Sequence, residues 1–219
     1  MENIVIYGET EFAERIFSYI KFENAANVIA FTNARNFKEK QEIQGIPVID
    51  FEELNNKFED IDFKVLIAIG YAQMNNIRKK IYQECKEAGH HIATYVSKSA
   101  IMYSQNIEEG CIIMPNVYVG PNCKIGKCNI IASSCCLSHD NCLGDFNFIS
   151  SSVTFGGHSS VENHCFIGLN CTIRDGITIN DSTLIGSASN VLKSTNQNSV
   201  YVGNPAYELE GKKSSKTKI

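Results

Sequence analysis

His139 and Asp140 are adjacent, in the run Cys-Cys-Leu-Ser-His-Asp-Asn-Cys-Leu-Gly over 135–144. An imidazole beside a carboxylate is an oriented general base, able to take a proton near neutral pH. Gly157 follows 18 residues later. A backbone N–H with no side chain in front of it can bind a developing oxyanion. A base and such a donor side by side are the minimum for acyl transfer. That chemistry requires an element that brings residue i and residue i+18 together.

The sequence supplies one. Every sixth residue from Ile101 to Val191 is large and apolar: Ile101, Ile107, Ile113, Val119, and so on without a miss through Ile185 and Val191, sixteen positions in all. Period six is neither helical nor the two-fold alternation of an ordinary strand. It is the mark of a hexapeptide β-helix, in which each short strand turns one large side chain inward before a corner. Three such strands make one triangular coil of 18 residues, so Gly157 stacks on His139. Gly follows the anchor at 120, 126, 144, 156, 168 and 186, where the chain turns sharply and φ > 0 is expected. Two residues before the anchor the chain is mostly small, as at Cys111, Cys123, Cys135, Cys165 and Cys171, with Gln105, Asn129, Asn141, Asn147 and Ile177 as exceptions. No residue is expected out of phase between 101 and 191.

Ahead of the repeat, residues 3–7 read as a buried strand and Glu11 to about Lys21 as a helix with Ala13, Ile16, Phe17 and Ile20 on its apolar face. Strands follow at Val28–Phe31, Ile46–Ile49 and Val65–Ile69. Asp50 is placed as the cap of a brief helix over Phe51–Asn55, and a second amphipathic helix runs from Met74 to Ala88. His91–Tyr95 reads as a last strand. Alternating strands and helices give a small Rossmann-like parallel sheet, whose ligands bind at the carboxyl ends of the strands. Here those ends carry Gly8, Thr10, Asn33 and Gly70. There is no G-x-G-x-x-G, which argues against a dinucleotide. The domains expected are 1–96 (α/β), 97–207 (β-helix) and 208–219, a polar basic tail without a core of its own.

Composition narrows the class. A chain with 43% apolar and 20% charged residues and a net charge of −4 has no general attraction for nucleic acid or membrane surfaces. The start, MENIVIYG, has no basic n-region, and no apolar run approaches the roughly 20 residues of a membrane span, so a cytoplasmic protein is expected. Five of the nine cysteines share one inward phase and read as small core residues of a reducing compartment. There is no C-x-x-C spacing, and no metal is expected.

The chain resembles the left-handed β-helix sugar acyltransferases that carry an N-terminal nucleotide-sugar domain, relatives of the bacterial amino-sugar N-acetyltransferases and the sialic acid O-acetyltransferase. The matching stretches are 66–70 (LIAIG), 77–82 (IRKKIY), 97–100 (SKSA), 138–140 (SHD), 165–170 (CFIGLN), 172–176 (TIRDG) and 202–206 (VGNPA). The resemblance implies a homotrimer with acyl-CoA between neighbouring prisms. It implies His139 as base, Asp140 as its acidic neighbour and Gly157 as oxyanion donor. Phe148, Leu169 and Ser187 fall at positions that line the pantetheine arm of acetyl-CoA, and Asn204 and Pro205 near its nucleotide end. Gly8, Thr10, Asn33 and Gly70 fall where relatives hold the nucleotide of a nucleotide-linked sugar. It departs from the pattern at Gly8-Glu-Thr-Glu-Phe12, which has two carboxylates and no histidine, and at Thr32-Asn33, where many relatives have aspartate. The activity implied is N-acetylation of a nucleotide-linked amino sugar in surface-glycan synthesis, with O-acetylation of a sugar as the alternative. Two rivals come from other classes. A trimeric β-helix metalloenzyme of the carbonic-anhydrase type would use His139, His158 and His164. However, His158 and His164 lie on successive corners and point apart by about 120°. A non-catalytic scaffold would require regular Thr ladders, which the mixed outward residues do not provide.

Overall fold

The computed structural model describes residues 1–217. The N-terminal domain is a six-stranded sheet built from β1 (Asn3–Tyr7), β2 (Asn27–Asn33), β3 (Glu42–Ile43), β4 (Ile46–Asp50), β5 (Lys64–Ile67) and β6 (His91–Ile92) in the spatial order β3-β4-β2-β1-β5-β6. All pairings are parallel except β3 with β4. Helix α1 (Glu11–Glu23) buries the expected face of Ala13, Ile16, Phe17 and Ile20. Helix α2 (Leu54–Lys57) is one turn, and α3 (Asn76–Glu87) returns the chain to β6.

The repeat folds into a three-sided prism of two-residue parallel strands. The strand ending at Leu137 pairs with those ending at Val119 and Phe155, each 18 residues away, and the other two faces follow the same rule. The first face runs through Val119, Leu137, Phe155, Ile173 and Val191, the second through Ile125, Leu143, Val161 and Ile179, and the third through Val96, Ile113, Ile131, Ile149, Ile167 and Ile185. From Ile113 to Val191 all fourteen anchors are at most 2% exposed. At roughly 1.5–3 kcal/mol for each buried aliphatic side chain, this single file of residues dominates the prism's stability. The asparagines that broke the small-residue rule are buried and satisfied. Asn129 Nδ2 donates to the Gly126 and Gly144 carbonyls, and its Oδ1 accepts the Asn147 N–H at 2.9 Å; Asn147 Oδ1 in turn accepts the Cys165 N–H at 2.8 Å. Burial pushes the core thiols of Cys111, Cys135 and Cys165 up to about 12, so they pack as inert small residues.

The structure corrects the reading in several places. Ile101 is 54% exposed, because Met102 rather than Ile101 stands opposite Val119. The first corner is one residue short: buried Ser104 tightens it by donating to the Cys123 carbonyl, and the period regains phase at Ile107 beside Ile125. The glycines after the anchors do not adopt positive φ. They are small because the next coil lies against them; a β-carbon on Gly120 would sit on the Ser138 carbonyl oxygen. The left-handed residue comes three positions after the anchor, at Asn116, Asn122, Cys128, Ser134, Asp140, Phe146, Ser152, His158, His164, Asn170, Gly176, Ser182 and Ala188.

Asp50 caps no helix; its carboxylate is spent on Arg35 and Lys38. The segment read as His91–Tyr95 divides. His91–Ile92 closes the α/β sheet, whereas Tyr95–Val96 already pairs with Ile112–Ile113 as the first strand of the prism, just ahead of the boundary drawn at 97. The tail is also tied down. Tyr207–Glu208 pairs antiparallel with Tyr201–Val202, Glu208 accepts from Asn196, Ser199 and Tyr201, and buried Ser214 donates to the Ser182 carbonyl. Leu209 also packs against the shared apolar cluster, so hydrogen bonds and apolar contact together hold the segment. Residues 218 and 219 lie outside the described residues.

The domains share a core. On the third face the residue before each anchor points outward and is apolar (Ile112, Ile130, Phe148, Phe166, Leu184), and these pack in one cluster with Ile6, Ala13, Phe17 and Met74. Arg78 of α3 fastens the contact. Its fully buried guanidinium donates to the carbonyls of Ile69, Gly70, Cys128 and Asn147, two from each domain, and burial without a carboxylate lowers it to about 10. Asn75 adds a bond from Nδ2 to the Cys165 carbonyl. Between these anchors Gln73, Met74 and Asn75 all take left-handed φ of 49–64°, so α3 starts at Asn76 and not at Met74. Consecutive left-handed non-glycine residues cost roughly 1–2 kcal/mol each. The two sets of side-chain bonds to the prism hold the turn in place.

Candidate active site

His139 and Asp140 occupy the corner between the first and second faces. His139 Nδ1 lies 2.9 Å from Asp140 Oδ2, and Asn122, one coil below, donates Nδ2–H to Asp140 Oδ1 at 3.1 Å. Hydrogen bonds from His139 and then Asn122 hold the Asp140 carboxyl below its ordinary range. A carboxylate on Nδ1 keeps the ring proton there and leaves Nε2 with a lone pair. Gly157 sits directly on the ring; a β-carbon at 157 would overlap Cε1 and Nε2 of His139. The coils are in register through the His158 N–H to the His139 carbonyl at 3.0 Å. The base and the bare amide expected from the 18-residue spacing are therefore side by side.

The positions expected to line an acyl donor gather elsewhere. Phe148, Leu169 and Ser187 line one cleft of about 490 Å³, together with Ser150, Phe166 and Tyr71. It opens where the third face turns into the first, a different corner of the prism from that of His139. Phe148 and Phe166 stack at 5.6 Å, and Tyr71 meets both edge-on at 5.0 and 4.9 Å. An apolar wall rimmed by serine hydroxyls fits a flexible arm that carries amides and ends in a thioester.

Residues 3–85 match the family described as PglD N-terminal domain, and residues 95–201 match the GMPPB C-terminal domain. Among solved structures, a histidine-to-asparagine variant of perosamine N-acetyltransferase from Caulobacter crescentus, in complex with CoA and GDP-perosamine, superposes with a TM-score of 0.85. It is 22% identical, over 95% of this chain and 97% of that one. WeeI from Acinetobacter baumannii AYE gives 0.85 at 22% identity over 95% and 100%. The acetyltransferase domain of PglB from Neisseria gonorrhoeae FA1090, in complex with acetyl coenzyme A, gives 0.82 at 18% over 95% and 99%. The chain shares with these structures its fold and its domain order, a small α/β domain followed by a β-helical prism. A curated relative, the acyl-[acyl-carrier-protein]–UDP-N-acetylglucosamine O-acyltransferase of Bartonella bacilliformis, is 36% identical over 89 residues; the match spans 33% of this chain and 31% of that protein.

On this fold the remaining expected residues divide. Asn204 and Pro205 lie outside the cleft lining, in the link between Tyr201–Val202 and Tyr207–Glu208, where Asn204 Oδ1 accepts the Asn190 amide. Gly8, Thr10, Asn33 and Gly70 do stand together at the carboxyl ends of β1, β2 and β5. Gly8 is needed there: its φ is +126°, and a β-carbon would press on the Ala68 carbonyl. Much of the polar capacity is already committed, however. Asn33 Nδ2 donates to Glu9 and to the Phe37 carbonyl, and the Gly70 carbonyl accepts from Arg78. Glu9, 7% exposed, accepts the Glu39 and Lys40 N–H groups and clamps the 34–40 loop over this edge.

Two residues near the sites went unread. His158 points away from His164 in the sequence pattern; yet 158 is 140 plus 18, and its Nε2 lies 4.0 Å from Asp140 Oδ2, with its ring 5.1 Å from that of His139. The spacing that paired His139 with Gly157 contained this signal. Tyr71 had none, because its place depends on the left-handed turn that follows it.

Proposed function

We propose that this chain is an acetyl-CoA-dependent N-acetyltransferase that modifies a nucleotide-linked amino sugar for surface-glycan synthesis. The observation that carries this reading is the His139 imidazole, held by Asp140 on one nitrogen and lying against the bare Gly157 backbone. The sugar amine attacks the thioester carbonyl directly. His139 Nε2 takes the amine proton, and the Gly157 N–H supports the negative charge that develops on the carbonyl oxygen. The thiolate of CoA then leaves as the amide forms. Asp140 keeps the ring in the useful tautomer and stabilises it once protonated.

The base corner and the acyl-donor cleft lie at different corners of one prism, so a homotrimer is part of the proposal. Prisms packed side by side bring the His139 corner of one chain to the cleft of the next. The nucleotide is assigned to the strand ends at Gly8, Thr10, Asn33 and Gly70, with Asn204 and Pro205 toward the nucleotide end of CoA. No helix among the described residues is long and apolar enough to cross a membrane, in keeping with a cytoplasmic enzyme.

The test is a panel of nucleotide-linked amino sugars with acetyl-CoA, read as free-thiol release and by mass of the product. Acetylation at nitrogen supports the proposal. Acetylation only of hydroxyl acceptors replaces it with an O-acetyltransferase, and no acyl-CoA binding at all removes it.

A further inference from the structure

Asp140 is shared between two imidazoles. Oδ1 is held by Asn122, which turns Oδ2 toward His139 Nδ1 at 2.9 Å and His158 Nε2 at 4.0 Å. One ligand atom from each of the three side chains lies within 4.8 Å of the others. Ligands at 2.0–2.1 Å around a tetrahedral ion stand about 3.4 Å apart; the two measured distances bracket that value, so small ring rotations suffice. The side chains of His139, Asp140 and His158 are 49, 34 and 70% exposed, which leaves them free to make those rotations. Gly157 brings no side chain against the His139 ring. The spacing is fixed by the backbone, since Asp140 and His158 are consecutive-coil residues at the same left-handed corner position. Two imidazoles and a carboxylate are a donor set for a late divalent transition metal rather than for Mg²⁺ or Ca²⁺, and the Asn122 bond is the outer-shell contact that orients the carboxylate.

We propose that His139, Asp140 and His158 form a Zn²⁺-type binding site that switches the base off. The ion takes the lone pair of His139 Nδ1, so the single proton of the neutral ring moves to Nε2. That nitrogen then has no lone pair with which to accept a proton from the amine. Metal loading and base catalysis exclude each other by tautomer. The binding does not depend on the proposed acyl transfer; its effect on turnover does.

Zn²⁺ titration of metal-free protein by calorimetry tests the site directly. One ion per chain is expected for the natural protein, with affinity at least about tenfold weaker in His158→Ala, since even outer-shell losses cost 10–100-fold. Cys142 and Cys136 are the accessible thiols and the obvious competing ligands, so Cys136→Ser and Cys142→Ser are run alongside and are expected to bind as the natural protein does. Turnover, once a substrate is known, should fall with Zn²⁺, recover with a chelator, and show the same tenfold weaker inhibition in His158→Ala. Equal Zn²⁺ affinity in the natural protein and His158→Ala, or loss of the ion only in the serine variants, overturns the site. Binding without any effect on turnover overturns the switch. A protein that binds Zn²⁺ through His158 but transfers no acyl group keeps the site and defeats only the enzymatic reading.

Discussion

The two corners of the prism obey the same repeat and are built differently. The corner of His139 is made by one domain alone, is open to solvent, and owes its geometry to backbone register between coils. The cleft of Phe148, Leu169 and Ser187 is made by two domains. Its Tyr71 wall is held by Arg78, by Asn75 and by a turn in the left-handed region. One region presents groups for proton transfer and the other presents volume and apolar surface. The difference implies that they fail separately when altered: damage to the first should appear in kcat, and damage to the second in substrate binding or in stability.

His139→Ala is the sharpest way to break that division. Loss of a general base typically costs roughly 10²–10⁴-fold in kcat, and the acetyl-CoA KM should stay near its starting value. A rise in KM with kcat intact would reverse the roles. Gly157→Ala should cost about 10²–10³-fold, because the new methyl would overlap Cε1 and Nε2 of His139 and push the imidazole away from the donor N–H. His139 is half exposed and can swing aside, so the melting temperature should hold. Arg78→Met tests the other region. It strips charged donors from four carbonyls, and at roughly 1.5–3 kcal/mol for a hydrogen bond to a charged group the loss should exceed about 3 kcal/mol in denaturant unfolding. Tyr71→Ala removes two edge-on ring contacts, each worth about 0.5–1.5 kcal/mol. The acetyl-CoA KM should rise about tenfold with little change in kcat.

The smallest effect concerns the seam where α1 meets the first coil. Burial works against the charged form of Glu23, but hydrogen bonds from Ser97, the Lys98 N–H and Tyr95 outweigh it and hold the carboxyl below its usual range. A lowered carboxylate contributes stability above its unfolded value, near 4.3, and loses it as pH falls through the folded value. Glu23→Gln should therefore be less stable by about 1–2 kcal/mol at pH 7, with the gap to the natural protein closing below about pH 4. Thermal melts across that range check it.

Much of this was legible in the chain itself. A period of six needs only counting, and it determined the prism, the inward file from Ile113 to Val191 and the stacking of Gly157 on His139. A further pattern was equally present and unread: at 112, 130, 148, 166 and 184 every third outward residue is apolar, which marks the face covered by the N-terminal domain. His158 beside Asp140 is another case of the same arithmetic. What failed was local. The early corner between Met102 and Ile107, the non-helical Gln73–Asn75 turn and the ordered Tyr207–Lys216 segment have no period to betray them.

Sequence alone determined the repeat and the neighbours within it, because an in-register parallel coil converts separation along the chain directly into distance. Only tertiary structure decided where Tyr71 stands, what Glu9 and Asn33 are spent on, and that the N-terminal domain supplies part of the cleft wall. Those outcomes rest on contacts between residues tens of positions apart with no common period, such as Arg78 with Asn147 or Asn75 with Cys165. The contacts of Arg78 and Asn75 exist only once the α/β domain packs on the prism.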